Sequence, residues 1–264
     1  MKYYHRIVSV LMFAAVGVLS GCSGMQTESV AINKNTVSSE SALQAYTTLG
    51  LQYLQGRDTV SAKAAVQKAL DINEDYAPAY NALALIFQVE SELELAEQYY
   101  KKAIALDGSS AMFHNNYGAF LFSQERYKEA CEQLATATQD PFYSNRAQTF
   151  ENLGRCYLEI QQVEPAIHAF ERSLKSGGAR PVPLVALADL HLAKGDVPMA
   201  DRYFTQFTEM INAKRVNHSA KSLWVGIKLA REKGKSNSAA TYALLLKNLF
   251  PESDEYKQYK ESAR

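Results

Sequence analysis

Residues 77–110 read APAYNALALIFQVESELELAEQYYKKAIALDGSS, and this stretch shows most clearly the pattern from which the architecture is predicted. Its alanines, leucines and tyrosines recur at helical spacing, without the strict alternation of a strand. The small residues Ala84 and Ala96 stand twelve positions apart, and the large Tyr100 follows four positions after Ala96. Two antiparallel helices can approach closely where a small residue removes bulk, and large side chains then fill the groove beside the contact. The stretch therefore predicts a helix-turn-helix hairpin.

The same register recurs along the chain. Five pairs that end in Gly or Ala are separated by 34, 34, 36 and 34 residues: Leu49-Gly50, Leu83-Ala84, Tyr117-Gly118, Leu153-Gly154 and Leu187-Ala188. A second small residue follows each pair after twelve positions, at Ala62, Ala96, Ala130, Ala166 and Ala200. A larger residue follows after four more, at Val66, Tyr100, Leu134, Phe170 and Phe204. Because one such unit cannot bury its apolar face alone, successive units are expected to stack.

This pattern resembles the tetratricopeptide repeat (TPR) consensus, which has about 34 residues per repeat. We predict an all-α TPR superhelix, an α-α solenoid of about six helix-turn-helix repeats. The regular units are predicted at 43–76, 77–110, 111–144, 147–180 and 181–214. An atypical sixth unit is predicted at 220–253, where Ala239 fits the small position but Gly226 and Ile227 fit poorly. Residues 254–264 are expected to form a polar capping tail.

The N-terminus carries an export signal. Lys2, His5 and Arg6 precede an apolar run at 7–19, which is typical of a signal peptide and too short to span a bilayer comfortably, since that takes about 20 apolar residues. The string Leu19-Ser20-Gly21-Cys22 resembles a bacterial lipobox. That resemblance implies a signal peptide at 1–21 and a lipid on the Cys22 sulfur. The alternative is an ordinary secretory signal, with Cys22 as a chance thiol.

The segment after the lipobox predicts a tether. Residues 22–42 are rich in Ser, Thr, Asn, Gln and Glu and lack helical periodicity, so we expect the lipidated cysteine to be followed by a flexible linker. The residue after Cys22 is Ser23 and not Asp, which by resemblance to lipoprotein sorting in Gram-negative bacteria implies the outer membrane. The body is then expected to face the periplasm on a lipid anchor.

Composition and motifs exclude several classes of function. The chain has 28 Lys and Arg against 28 Asp and Glu, so it lacks the basic surplus of a nucleic-acid-binding protein. His114 and His191 stand at packing positions of the repeat, and Gly234-Lys235-Ser236 lacks the strand and the first glycine of a phosphate-binding loop. We predict a chain that is not an enzyme and uses no cofactor, metal or small-molecule substrate.

Cys131 and Cys156 remain after Cys22 is assigned. They fall in the second helix of the third repeat and the first helix of the fourth, which should be neighbours. In an oxidising compartment they could form a disulfide between the two repeats. The alternative is a pair of small buried hydrophobic residues, which free cysteines commonly are.

The predicted partner-binding groove lies on the concave side, which the first helix of each repeat lines in TPR superhelices. Its lining residues in the first three repeats are mainly apolar, with a few amides: Leu51, Leu54, Asn81, Leu85, Val89, Met112, Asn115 and Phe122. Contiguous exposed apolar surface of this kind usually marks a partner site. The alternative is that the tether or neighbouring helices cover some of these side chains.

The combination of lipobox, short polar tether and TPR-like units over nearly the whole chain resembles one family, the type IV pilus biogenesis and stability lipoproteins (the PilF or PilW family). The stretches 77–84, 114–121 and 147–157 carry this likeness, especially His114-Asn115-Asn116-Tyr117-Gly118. The resemblance implies a secretin pilotin, which binds the secretin subunit of the pilus and promotes its outer-membrane localisation and oligomerisation. The alternative is a TPR lipoprotein adaptor for peptidoglycan enzymes or for outer-membrane protein assembly.

Overall fold

The structure, a computed structural model, describes residues 34–262, with side chains from residue 38 onward. The predicted signal peptide, Cys22 and the first part of the predicted tether lie outside the described residues. Within 34–262 the chain forms thirteen α-helices and no strand, which confirms the all-α prediction. The helices are α1 Lys34–Gln55, α2 Thr59–Ile72, α3 Ala77–Val89, α4 Leu93–Leu106, α5 Ala111–Ser123, α6 Tyr127–Ala137, α7 Arg146–Glu159, α8 Val163–Gly177, α9 Pro181–Ala193, α10 Val197–Asn212, α11 Ala220–Glu232, α12 Ser236–Leu249 and α13 Asp254–Ser262.

The helices pair as six hairpins, α1 with α2 through to α11 with α12, and each second helix also packs on the first helix of the next hairpin. This is the solenoid arrangement that the repeat register predicts. The last helix, α13, packs on α11 and α12. Its Tyr259 ring lies 6.5 Å from the Trp224 ring, and its Ser262 hydroxyl accepts a hydrogen bond of 2.9 Å from Arg231. The C-terminal end of the stack is therefore covered by α13.

The small residues of the register mark the contacts between paired helices. A methyl group added to Gly118 would lie 2.8 Å from Leu134 Cγ and 3.2 Å from the Ala130 carbonyl oxygen, and one added to Gly154 would lie 2.7 Å from the Phe170 ring. The second small residues of the five regular repeats are all fully buried: Ala62, Ala96, Ala130, Ala166 and Ala200. The sequence pattern thus corresponds to close contacts, in which a side chain at Gly118 or Gly154 requires the facing side chain or helix to shift.

The sixth hairpin departs from the register in the way that its sequence indicates. Ile227, and not a small residue, stands in the first small position, and it is fully buried beside Leu223 and Leu246. The neighbouring Gly226 takes over the close contact, because a methyl group there would lie 3.0 Å from the Tyr242 ring on α12. The pair α11–α12 therefore packs with a shifted contact.

The two helices of each hairpin are joined by the same backbone turn. One residue of the turn has a positive φ in all six hairpins, at Arg57, Ser91, Glu125, Gln161, Gly195 and Gly234. The next amide donates to a carbonyl five residues back in each turn, as in Gln162 to Tyr157 at 2.8 Å and Asp196 to His191 at 2.8 Å. This is the Schellman end of a helix, in which glycine is preferred because a Cβ is strained in the left-handed region. In four of the six turns the residue with positive φ is not glycine, so these turns retain that strain.

These turns yield a paired prediction on stability. Gln161→Gly should raise the free energy of unfolding by about 1 kcal/mol, because it removes the left-handed strain at φ 60°. Gly195→Ala should lower it by about the same amount, since φ is 76° there and open space surrounds the site. Urea unfolding of both variants measures the two shifts. Shifts of the same sign would show that turn strain does not set these effects.

The N-terminal boundary differs from the prediction. Residues 34–42 continue α1 as helix, so this part of the predicted flexible linker belongs to the first hairpin. Leu43 is buried in the cluster that holds Ala62 and Ile86. Once a helix is anchored in this way, each residue added to its N-terminal end forms one more backbone hydrogen bond. Composition alone predicted a linker because residues 34–42 include few apolar residues.

Candidate partner-binding face

The first helices of the hairpins form the inner row of the stack. Successive first helices contact one another directly, α1 with α3, α5 with α7, α7 with α9 and α9 with α11. Successive second helices make no comparable contacts within residues 34–262. Because the row whose members lie closer together is the inner row of a curved stack, the first helices line the concave face.

The first three repeats present an accessible apolar strip on this face. Leu51, Leu54, Leu85 and Phe122 are half-buried, and they pack against the core through one side only. Val89 is 53% exposed and Met112 is 40% exposed. These six predicted groove residues are thus accessible on the first helices α1, α3 and α5. They can contact an apolar partner without unfolding of any hairpin.

The asparagines of the predicted groove have a different role. Asn81 is only 3% exposed, and its Oδ1 accepts a hydrogen bond of 3.1 Å from Asn116 Nδ2. Asn115 lies 3.4 Å from Asn116 and accepts a hydrogen bond of 2.9 Å from Thr149 Oγ1. The structure therefore assigns Asn81 to a polar ladder that joins the second, third and fourth repeats, and not to the accessible lining as predicted. A residue three positions before the small residue is covered by the next repeat, and the sequence pattern did not reveal this.

The later repeats make the same face polar and charged. Arg180 Nε donates to Glu151 Oε2 at 2.8 Å, and Lys221 and Lys228 both bind the carboxylate of Asp189, Lys221 at 2.6 Å. Burial alone would raise the pKa of Asp189, but the hydrogen bonds from Lys221 and Lys228 outweigh it, and the pKa is lowered. The concave face thus has an apolar half followed by a half with paired charges.

Two cavities open near this face. One has a volume of about 210 Å³ and lies between the third and fourth repeats, where it is lined by Ala119, Phe122, Leu134, Asn152 and Arg155. The other has about 350 Å³ and lies beside the start of α9, with mainly apolar walls that include Val182, Phe207 and Val216. Sequence reasoning missed the second cavity. Its signal was the apolar Val216 within the extra residues 215–219, which interrupt the repeat register.

The two cysteines are paired in the structure. Cys131 on α6 and Cys156 on α7 form a disulfide, with their Cα atoms 5.6 Å apart. Both side chains are buried. The bridge links α6 of the third repeat to α7 of the fourth.

His114 and His191 contact neighbouring side chains within the helix packing. His114 contacts Gln133 Oε1 at 2.7 Å and the Gly108 carbonyl at 3.0 Å. His191 Nδ1 lies 3.3 Å from Asp196 Oδ2, but without the alignment of a hydrogen bond. No group of His, Cys, Asp or Glu in the described part of the chain could hold a metal ion. Gly234 and Lys235 lie in the turn between α11 and α12, and Ser236 begins α12. Among the helices of residues 34–262, none has both the length and the hydropathy that a transmembrane span requires.

Comparison with known proteins places this architecture in a family. The tetratricopeptide repeat model matches residues 77–110, which contain α3 and α4. The chain is 38% identical over 253 residues to the type IV pilus assembly protein PilF of Pseudomonas aeruginosa, covering 95% of this chain and 96% of that protein. It is also 30% identical over 180 residues to an uncharacterised protein of Haemophilus influenzae, covering 68% of this chain and 96% of that protein.

Solved structures agree with the sequence comparison. The structure of Pseudomonas aeruginosa PilF superposes with a TM-score of 0.77 at 39% identity, covering 85% of this chain and 99% of that one. The crystal structure of PilW, described as a widely conserved type IV pilus biogenesis factor, superposes with a TM-score of 0.66 at 27% identity, covering 82% of this chain and 97% of that one. This chain therefore belongs to the PilF family of TPR proteins of type IV pilus biogenesis.

Proposed function

We propose that this chain is a pilotin, an outer-membrane lipoprotein that binds the type IV pilus secretin and promotes its localisation and oligomerisation in the outer membrane. The observation that carries the proposal is the N-terminal part of the accessible apolar strip, on the concave face of a pilus-assembly TPR protein. This part, called the N-terminal apolar strip below, consists of Leu51, Leu54, Leu85 and Val89. TPR folds act as scaffolds, so function resides in what this face holds.

The chemistry of the strip suits a membrane-seeking subunit. A secretin subunit must keep apolar surface away from water until it reaches the outer membrane. An apolar groove can cover such surface, because each square ångström removed from water contributes about 25 cal/mol. The strip lies at the N-terminal end of the solenoid, next to the linker that would lead to the lipid anchor. Carrier and anchor are then adjacent in the chain.

The anchor supplies the destination in this proposal. A lipid on Cys22 would hold the chain at the membrane, since each buried methylene contributes about 0.8 kcal/mol and several acyl chains make the attachment permanent in practice. Ser23 after the cysteine favours the outer membrane in this reading. Together, anchor and groove would deliver the subunit to the membrane in which its ring assembles.

The groove is tested by charge substitution in the pilus-bearing host. Leu51→Asp and Leu85→Asp each place a carboxylate in the apolar strip, and its burial against a partner is unfavourable by several kcal/mol unless it finds a partner charge. We expect the recovery of secretin with the affinity-tagged chain from solubilised envelopes to fall at least about tenfold. Quantitative immunoblotting of the co-purified secretin measures the change.

The matched control is Val60→Asp. Val60 lies on the second helix α2 and is 74% exposed, so the same charge is added to the same hairpin away from the concave face. Secretin recovery should stay at the wild-type level with this variant, and circular dichroism should show unchanged helix content in all three. Normal recovery with Leu51→Asp and Leu85→Asp would remove the groove from the secretin interaction. If these two variants instead lost co-purified peptidoglycan enzymes or outer-membrane assembly factors, the result would support the adaptor function.

A further inference from the structure

The concave face changes character at one register position. The residue directly after the small position points into this face in each repeat, and it is Leu51, Leu85, Ala119, Arg155 and Asp189 in turn. Leucine fills the position in the first two repeats. At the third repeat Ala119 is too small to do so, and the 210 Å³ cavity opens beside it. The cavity is thus a consequence of one small side chain in the lining row.

A guanidinium group stands at the rim of this cavity. The Arg155 guanidinium lies over the Phe122 ring at 5.6 Å, and Phe122 is in turn held edge-on by Tyr127 at 5.2 Å. Arg155 is exposed, and among residues 38–262 it forms no ion pair. The other cations of the concave face are already paired, Arg180 with Glu151 and both Lys221 and Lys228 with Asp189. Unlike these three cations, Arg155 is left for an external carboxylate.

The remaining walls suit a peptide. Asn152 accepts a hydrogen bond of 3.2 Å from Gln148 through its Oδ1, so its N–H donors are left for a peptide carbonyl. Phe122 and Leu134 supply apolar wall. A volume of 210 Å³ is below the range of about 300–1,000 Å³ that is usual for small-molecule sites. The cavity is of a size to take one side chain of a longer segment.

We propose that this cavity binds an acidic peptide segment of a partner protein. An Asp or Glu carboxylate of the segment pairs with the Arg155 guanidinium, whose fork geometry favours two parallel hydrogen bonds. A neighbouring Val or Leu side chain enters the cavity against Phe122 and Leu134. This is a second recognition point, which adds a charge pair to apolar contact, whereas the N-terminal apolar strip offers apolar contact alone. It does not depend on the identity of the protein that the strip holds.

The test uses the full chain, purified from membranes in detergent, and a library of capped nonapeptides. The central residue of the library is Asp, Asn or Lys, and the flanking positions vary among Gly, Ser, Val and Leu. Mass spectrometry of the retained peptides gives the enrichment at each position. We expect Asp to be retained about tenfold over Asn and more over Lys, with Val or Leu enriched beside it.

Three variants locate the effect. Arg155→Gln should abolish the preference for Asp over Asn, and Ala119→Trp, which fills the cavity from an exposed position, should abolish the enrichment of Val and Leu. Arg172→Gln is the matched control, because Arg172 also lies over a phenylalanine ring, that of Phe150 at 5.0 Å, but outside this cavity. It should leave both preferences unchanged. Equal retention of Asp and Asn peptides, no retention of either, or preferences that survive Arg155→Gln or Ala119→Trp would overturn the proposal.

Discussion

Gly154→Leu should lower the free energy of unfolding by about 3 kcal/mol, at the upper end of the usual effect of overpacking a core. A Cβ at this position would lie 2.7 Å from two atoms of the Phe170 ring, which is itself fully buried. Phe170 packs in a buried cluster with Ala166 and Leu187, so we expect helices α7 and α8 to separate. Urea unfolding followed by circular dichroism measures the loss.

The same substitution at an exposed glycine is the control. Gly108 lies in the turn between α4 and α5, is exposed, and has only ordinary contact at 3.4 Å with the Ile104 carbonyl. Gly108→Leu should therefore change the free energy of unfolding by less than about 0.5 kcal/mol. If Gly154→Leu proved as mild as Gly108→Leu, the close contact between α7 and α8 would not be what stabilises this hairpin.

Reduction of the Cys131–Cys156 disulfide should lower the free energy of unfolding by about 3 kcal/mol. The two cysteines are 25 residues apart, and closing a loop of that length restricts the unfolded chain by roughly this amount. The bridge also joins α6 to α7, so its loss acts at the boundary between the third and fourth repeats. Thermal or urea unfolding with and without a thiol reductant measures the effect.

The variant with both Cys131→Ser and Cys156→Ser serves as the control for the reductant. It should be as unstable as the reduced wild type and should not respond to reductant. Labelling by a thiol reagent in denaturant should be absent at Cys131 and Cys156 in the untreated wild type. A wild-type midpoint that reductant does not move, together with labelling of both cysteines, would contradict a stabilising bridge.

The repeat architecture could be predicted because it depends on local residue size. Glycine or alanine recurs where paired helices touch, and Gly118 and Gly154 have no room for a side chain in the structure. The helical period and the 34-residue register are properties of sequence spacing alone. The apolar strip could also be predicted, because the position of a residue relative to the small residue determines the face of the helix on which it lies. The family assignment, made from the same stretches, is confirmed by comparison.

The features that escaped prediction depend on how repeats meet. Asn81 belongs to the predicted face, but the side-chain amide of Asn116 in the next repeat donates a hydrogen bond to it, and Asn81 is buried. The cavity near Val216 exists because residues 215–219 offset the sixth hairpin from the fifth. The helical residues 34–42 carry no periodic signal, and the burial of Leu43 directly after them in the core of the first hairpin is a contact that their composition does not show. Each of these is a tertiary effect that no single repeat encodes.

In our proposal, the N-terminal apolar strip carries the secretin to the outer membrane. The most direct measurement is the amount of secretin multimer in the outer-membrane fraction of the host, in cells that express Leu85→Asp or the control Val60→Asp at equal levels. We expect Val60→Asp to give the wild-type amount and Leu85→Asp to leave less than about a tenth of it, with the subunit remaining monomeric or in the inner-membrane fraction. Wild-type amounts of secretin multimer in the outer membrane with Leu85→Asp would contradict the claim.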